Sequence, residues 1–283
     1  MKEAAHQRHY DARLSRVTAY IHDHLDDELD LNRLADIACV SPYHWHRIYH
    51  AIHGETIAAT VKRLRLHRAA GYLAQSSMAV KEIAVKSGYA NVQSFTRIFH
   101  AAYGMPPARY RKEGSHQQFK ALHAGGIAMS YDVKIETQAP LIAATLDHLG
   151  SYMQIGRAFD TLFGWLGSRN LLGPGTRSIG VYLDDPSIVP EAQLRSKAGV
   201  IMTQPMTLEA PLALTEVAGG RYAVLTYKGP YADVKFAYQW LYGTWLPQSG
   251  QETADAPVYE EYLNDPRSTA PTELLTAIYL PLR

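Results

Sequence analysis

The order of apolar and polar positions repeats itself within the first third of the chain. Leu31, Leu34, Ile37 and Ala38 recur at spacings of three and four, which places them on one face of a helix. Cys39-Val40-Ser41-Pro42 interrupts that period, and Ser41 and Pro42 suit an N-cap and the first residue of a new helix. The second helix turns Trp45, Ile48, Tyr49 and Ile52 inward and leaves Tyr43, His44, His46, Arg47 and His50 outside. At an offset of 50, Trp45, Arg47, Ile48, Tyr49, His50, Ala51 and Gly54 fall on Phe95, Arg97, Ile98, Phe99, His100, Ala101 and Gly104. The second copy therefore has the same plan: Ile83 and Ala84 face in, Ser87-Gly88-Tyr89 turns, and Phe95, Ile98, Phe99 and Ala102 form the next inner face, with Gln93, Ser94 and Arg97 outside. Two helices joined by a tight turn make a unit that fits the major groove of double-stranded DNA.

Between the copies, Ile57 to Gln75 carries Ile57, Val61, Leu64 and Leu73 at helical spacing, with Arg63, Arg65 and Arg68 beside them. One spacer helix of this length spans roughly 28 Å, close to the roughly 34 Å of a DNA turn, so one chain can present two units to successive grooves. Upstream, Leu14, Val17, Ile21 and Leu25 predict a packing helix, and the polar residues 1–10 are expected to fray. Downstream, Ala108 to Lys112 adds a basic turn, and the period is lost over 113–128, read as a linker.

From Met129 the pattern changes to short runs rich in β-formers, with Ala139-Pro140 between the first two. Tyr131 to Glu136, Leu141 to His148, Ser178 to Leu183 and Ala198 to Thr203 predict strands, with a helix over Met153 to Leu172. The order recurs: strands at Leu212 to Val217 and Tyr222 to Tyr227, a helix over Asp233 to Leu246, strands at Val258 to Leu263 and Leu275 to Leu280. At an offset of 79, Gly150, Tyr152, Leu162 and Gly164 meet Gly229, Tyr231, Leu241 and Gly243; at 80, Tyr182-Leu183-Asp184-Asp185-Pro186 meets Tyr262-Leu263-Asn264-Asp265-Pro266. The fold class expected is two-domain: an N-terminal all-α tandem helix-turn-helix domain over 1–112, and over 129–283 an α+β duplicated antiparallel-sheet domain with pseudo-two-fold symmetry and a cleft between its halves.

Charge sharpens this division. Net charge is only +1, but residues 1–114 carry 16 Lys and Arg against 11 Asp and Glu, and residues 115–283 carry 12 against 16. Residues 31–112 hold 12 basic side chains against Asp36, Glu55 and Glu82, the electrostatic footprint of a nucleic-acid binder. A single cysteine, Cys39, excludes a disulfide framework and a cysteine-based zinc site. His46 and His50 have zinc-ligand spacing but no third ligand, so no metal and no cofactor is expected. No signal peptide and no apolar run of membrane-spanning length is present, so a cytoplasmic protein without membrane contact is expected.

Candidate chemistry in the second half rests on aromatics and one acid. Residues 129–283 hold 11 of the 19 tyrosines and every tryptophan except Trp45. Tyr152, Trp165, Tyr182, Tyr231, Trp240, Tyr242, Trp245, Tyr259 and Tyr262 are candidates for a cleft wall, or alternatively for core. The repeat breaks at Glu260, whose counterpart is Gly180. Strand alternation puts Glu260 on one face with Val258 and Tyr262, and Glu261 on the other with Tyr259. An acid among aromatics makes a site for an amphipathic cation; two exposed glutamates on a surface strand are the other reading.

Leu31-Asn32-Arg33-Leu34-Ala35, Ser41 to Arg47, Gly88 to Phe99 and Gly104-Met105-Pro106-Pro107-Ala108-Arg109-Tyr110-Arg111 resemble the AraC/XylS family of bacterial transcription regulators over roughly residues 10–112. Gly180 to Pro186, Tyr259 to Pro266 and Thr276 to Pro281 resemble the GyrI-like effector-binding domain, giving a Rob-like domain order. The resemblance implies base contacts at the exposed start of each second helix: Tyr43, His46 and Arg47, with His44 beside them, then Val92, Gln93, Ser94 and Arg97. It implies a small effector held at Glu260, with Tyr152, Trp165, Tyr182, Tyr231, Trp245 and Tyr262 as the candidate wall, and contact with RNA polymerase to activate transcription. A regulator rather than an enzyme is expected. The alternatives are a small-molecule hydrolase working through Glu260 and a neighbouring tyrosine, or a ligand-sequestering module fused to a DNA-binding domain.

Overall fold

The computed structural model describes the chain except residues 1, 28, 39–48, 51–52, 54, 115–130, 187 and 204–206; side chains are also left undescribed at 2–11, 14, 31 and 32. Helix α1 covers Lys2–Asp23, α2 Leu31–Ala38, α3 Ile57–Gln75, α4 Val80–Lys86, α5 Val92–Tyr103 and α6 Pro107–Glu113. The start of α1 corrects one expectation. The first ten residues lack an apolar period, but Glu, Ala, Gln and Arg there have good intrinsic helix propensity, and the helix begins at Lys2.

The spacer helix α3 has the bounds the sequence predicts, and it serves two cores. Ile57 and Leu64 pack with Val17, Ile21, Leu34, Ala35 and Tyr49. From Leu66 onward, Leu66, Ala70 and Leu73 pack with Ile83, Ala84, Phe95, Phe99 and Tyr110. Thr56 caps its N-terminus by accepting from the Ala59 amide. The turn between α4 and α5 requires Gly88: its φ is +74°, and a Cβ there would lie 2.2 Å from the Leu25 carbonyl oxygen.

The second half is one eight-stranded antiparallel sheet: β1 Val133–Gln138, β2 Leu141–Leu149, β3 Ser178–Tyr182, β4 Arg195–Ile201, β5 Ala213–Val217, β6 Gly220–Lys228, β7 Val258–Tyr262 and β8 Leu275–Leu282. Its order is β1-β6-β8-β7-β3-β4-β2-β5, which reads the same from either end once the first four strands and the last four are exchanged. The first predicted long helix is shorter than its apolar period, and the second has nearly its predicted extent but is not uniformly α-helical. A turn at Tyr152–Gln154 precedes α7, Gly156–Gly167. The turn Tyr231–Asp233 precedes α8, Val234–Trp240, followed by a π-helical segment, Leu241–Trp245, and the short α9, Leu246–Ser249.

One sheet face carries the helices. Leu162, Trp165 and Leu166 of α7 pack on Ala198 and Val200, while Phe236, Ala237 and Trp240 of α8 pack on Leu225, Ile278 and Leu280. The central pair β3–β7 lies between these two packed regions. The opposite face buries Tyr222, Tyr259 and Tyr279 with Ile179 and Val181.

Candidate effector site and nucleic-acid interface

Register builds the site at the centre of the sheet. Gly180 and Glu260 are directly paired partners in β3 and β7. A Cβ at Gly180 would come within 2.8 Å of the Tyr262 hydroxyl and 3.0 Å of the Tyr182 hydroxyl, so glycine leaves room for both phenols beside the acid. Glu260 is 4 % exposed. Tyr238 donates to Glu260 Oε1 at 2.8 Å and Tyr182 to Oε2 at 3.3 Å, while the Tyr182 and Tyr262 hydroxyls are 2.7 Å apart. Among the described residues no cation pairs with Glu260, and burial pushes its carboxyl up to about 7 against the downward pull of the tyrosine hydroxyls. Glu261, one residue on, faces the other way and accepts from Nε and Nη2 of Arg177 at 2.6 and 2.8 Å. The two glutamates are therefore not an exposed pair, and only Glu261 has an arginine to neutralise it.

The acid lines a cleft of about 2280 Å³ whose walls come from both halves of the chain. Of the candidates, Tyr152, Tyr182, Tyr231 and Tyr262 line it together with Glu260; Trp165 and Trp245 do not. Trp165 is buried under α7 with Arg169 over its ring at 3.7 Å, and Trp245 packs beside the cluster around Trp240. Tyr242 lines the cleft, whereas Trp240 is core and Tyr259 belongs to the opposite face. Tyr238 escaped the sequence reading. Its signal was there, because Val234, Tyr238 and Tyr242 are spaced by four and share one helical face.

In the first half, α5 begins with a capped N-terminal turn. Asn91 caps it, Oδ1 accepting from the Ser94 amide at 2.7 Å. Gln93, Arg97 and His100 are exposed along one strip, and with Val92, Thr96 and Pro106 they edge a shallow groove. Val92 itself is half-buried against the core, so it contributes more to packing than the polar residues around it. Thr96 and His100 extend the predicted set by one turn. Tyr43, His44, His46 and Arg47 lie outside the described residues; His50, further along that stretch, is exposed and Tyr49 buried. Part of the basic excess is used internally: Arg63 donates to Glu55 at 2.6 Å, and Arg65 to the carbonyls of Leu25 and Asp27. Arg33, Lys62, Lys81, Lys86, Arg97 and Lys112 remain exposed. Among the described residues no group of three or more potential metal ligands occurs, and no helix is long and apolar enough to cross a membrane.

Comparison with known proteins matches both regions. Residues 34–113 match the family model of a helix-turn-helix domain, and residues 131–283 match that of the GyrI-like small molecule binding domain. The right origin-binding protein of Escherichia coli (strain K12) is 24% identical over 285 residues, covering 93% of this chain and 96% of that protein. The bifunctional transcriptional activator/DNA repair enzyme AdaA of Bacillus subtilis is 38% identical over 96 residues, 34% of this chain and 46% of AdaA, so the chain spans under half of that relative. The DNA gyrase inhibitor of Enterobacter lignolyticus is 29% identical over 141 residues, 48% of this chain and 87% of that protein. This chain belongs to the AraC-type helix-turn-helix, DNA-binding transcription regulators that carry a C-terminal GyrI-like small molecule binding domain.

Proposed function

We propose that the chain is an effector-responsive transcription regulator, in which helix-turn-helix units at the two ends of α3 read successive major grooves and the cleft at Glu260 receives an amphipathic cation. The units fall within 1–112 and the effector half within 129–283, the latter built as two pseudo-two-fold copies joined at β3 and β7. The palindromic strand order supports the duplication. Two hydrophobic cores strung on one helix support the tandem units. In this reading Tyr43, His44, His46 and Arg47 contact bases in one groove, and Gln93, Ser94 and Arg97, with Val92 packed behind them, in the next. Tyr182, Tyr231, Tyr238 and Tyr262 surround the cation, with Tyr152 at the edge. Activation through RNA polymerase fits the family, and the relative AdaA is named an activator.

Glu260 carries the effector part: a buried carboxylate with phenol donors and no cation among the described residues is costly alone and favourable once a cation arrives. Duplexes selected by the full chain from a random pool should hold two motifs about one helical turn, roughly 10 base pairs, apart. A single motif, with flanking sequence free to vary, overturns the tandem reading. Titrating the same protein with tetraphenylphosphonium, a lipophilic cation, tests the cleft, and hydrolytic turnover of bound neutral esters or epoxides would favour the enzyme reading instead.

A further inference from the structure

The spacer helix that carries the two DNA-reading units is also seated on the effector half. Both short turns that open the repeated helices, Tyr152–Gln154 and Tyr231–Asp233, touch it or its neighbours. His67 Nε2 lies 3.2 Å from the Met153 carbonyl oxygen, and a Cβ on Gly71 would sit 3.2 Å from Met153 Cε. The His67 ring stands edge-on to Tyr231, centroids 5.9 Å apart at 78°. Tyr231 in turn stands edge-on to Tyr262 at 5.5 Å, and the Tyr262 hydroxyl reaches Glu260 through Tyr182. The next two residues of the same turn enter the DNA-binding half: Ala232, 1 % exposed, packs in the core of the second unit, and Asp233 Oδ2 accepts from the Tyr110 hydroxyl at 3.1 Å.

We propose that the effector site is completed by the DNA-binding half: His67 on α3 is an effector-contacting, selectivity-setting residue, and through it and Tyr231 occupancy of the cleft is linked to DNA affinity. This rests on the reading of Glu260 as the cation site. His67 and Glu260 line the same cleft, with one aromatic layer, Tyr231 and Tyr262, between them. His67 suits the role because it is uncharged there. Burial holds its pKa down to about 4 despite the hydrogen bond to Met153, so it does not repel a cation. An effector that wedges against Tyr231 presses on a ring that stands edge-on to His67 of α3. Where DNA binding favours the same arrangement of these rings, the factor by which duplex changes effector affinity equals, by linkage, the factor by which the effector changes duplex affinity.

The test uses the full chain, calorimetric titration with tetraphenylphosphonium, and a duplex selected by the protein itself. His67→Ala removes the ring, and His67→Gln removes it while keeping a donor for the Met153 carbonyl, which guards against a loss that is only structural. Both variants should change the dissociation constant by at least threefold, and saturating duplex should shift that of the unaltered protein by a similar factor, a shift that both variants lose. Wild-type affinity in both variants, or a constant indifferent to duplex, overturns the proposal. Glu260→Gln is run alongside to separate the two ideas. If it binds as tightly as the unaltered protein, or if that protein does not bind the cation at all, the acid is not the cation site and the proposal falls with it. A loss in Glu260→Gln with no change at His67 refutes the shared wall alone.

Discussion

Replacing Glu260 with glutamine removes one charge and almost no volume, so its effect isolates the electrostatics of the cleft. A cation about 5 Å from the carboxylate, at an effective dielectric constant of about 20, gains roughly 3 kcal/mol, on the order of 100-fold in affinity. Glu260→Gln should lose most of that at pH 8. The acid must ionise to hold the cation, and its carboxyl is raised from 4.5 to about 7 by burial. Affinity of the unaltered protein should therefore fall roughly tenfold from pH 8 to pH 6, while that of the variant stays flat. His67, with its pKa held near 4, does not titrate in that window. Stability runs the other way. A carboxyl whose folded pKa exceeds its unfolded one contributes stability that is full below pH 4.5 and lost as pH rises to about 7, here about 3 kcal/mol in all. Glu260→Gln should lack that decline and match or exceed the unaltered chain in urea unfolding at pH 8. Calorimetry with tetraphenylphosphonium in buffers of different ionisation enthalpy would read affinity and proton release together, near half a proton per cation at pH 7. A pH-independent constant for the unaltered protein, or unchanged binding by the variant, refutes the reasoning.

Arg97→Ala should cost roughly 1 to 3 kcal/mol of discrimination between a selected duplex and random DNA, measured by competition mobility shift; an unchanged ratio removes Arg97 from base reading. Asn91→Ala, which deletes the cap on α5, should lower stability by about 1 kcal/mol in urea unfolding, and a cost below a few tenths would show the cap to be dispensable. Gly180→Ala places a methyl 2.8 Å from the Tyr262 hydroxyl and should weaken cation binding severalfold, with the same cation affinity in the variant showing that the phenols yield freely.

The elements with a strong local signal were legible from the chain: α3 has the predicted bounds, and the strands fall within a few residues of theirs because short runs rich in β-formers are bounded by turn residues. The repeat offset of 80 marked Gly180 as the counterpart of Glu260, but that the two lie side by side in β3 and β7 was not legible, because strand register is set across the sheet. Nor were the helix ends. Ile155 and Leu166 continue one apolar face, but the Tyr152–Gln154 turn is set by Tyr152 hydrogen-bonding the Asp184 and Arg195 carbonyls, a contact across the fold with no local trace.

The same limit governs the seam between the halves. Asp160 has an apparent helical partner in Arg157, three residues earlier, but Arg157 turns to Asp23, and burial alone would raise the pKa of Asp160. The hydrogen bond from His22 at 3.0 Å and the charge of Arg63 at 3.9 Å outweigh burial and hold it below the usual carboxylate range. Arg157 joins Asp23 at 2.8 Å, and Arg267 donates to the His53 carbonyl at 2.6 Å. Each of these partners looks, in sequence, like one more solvated charge on a DNA-binding surface or an effector domain. Their pairing takes Arg63 out of the phosphate-binding count and places it in a buried junction, where separating the halves would strand Asp160 without its partners. The charge of residues 31–112 thus has two destinations: an exposed surface carrying Arg33, Lys62, Lys81, Lys86, Arg97 and Lys112, and, through Arg63, the junction with the second half. Only the first has a signature in composition, because a phosphate surface needs many charges and a junction needs a few in the right places.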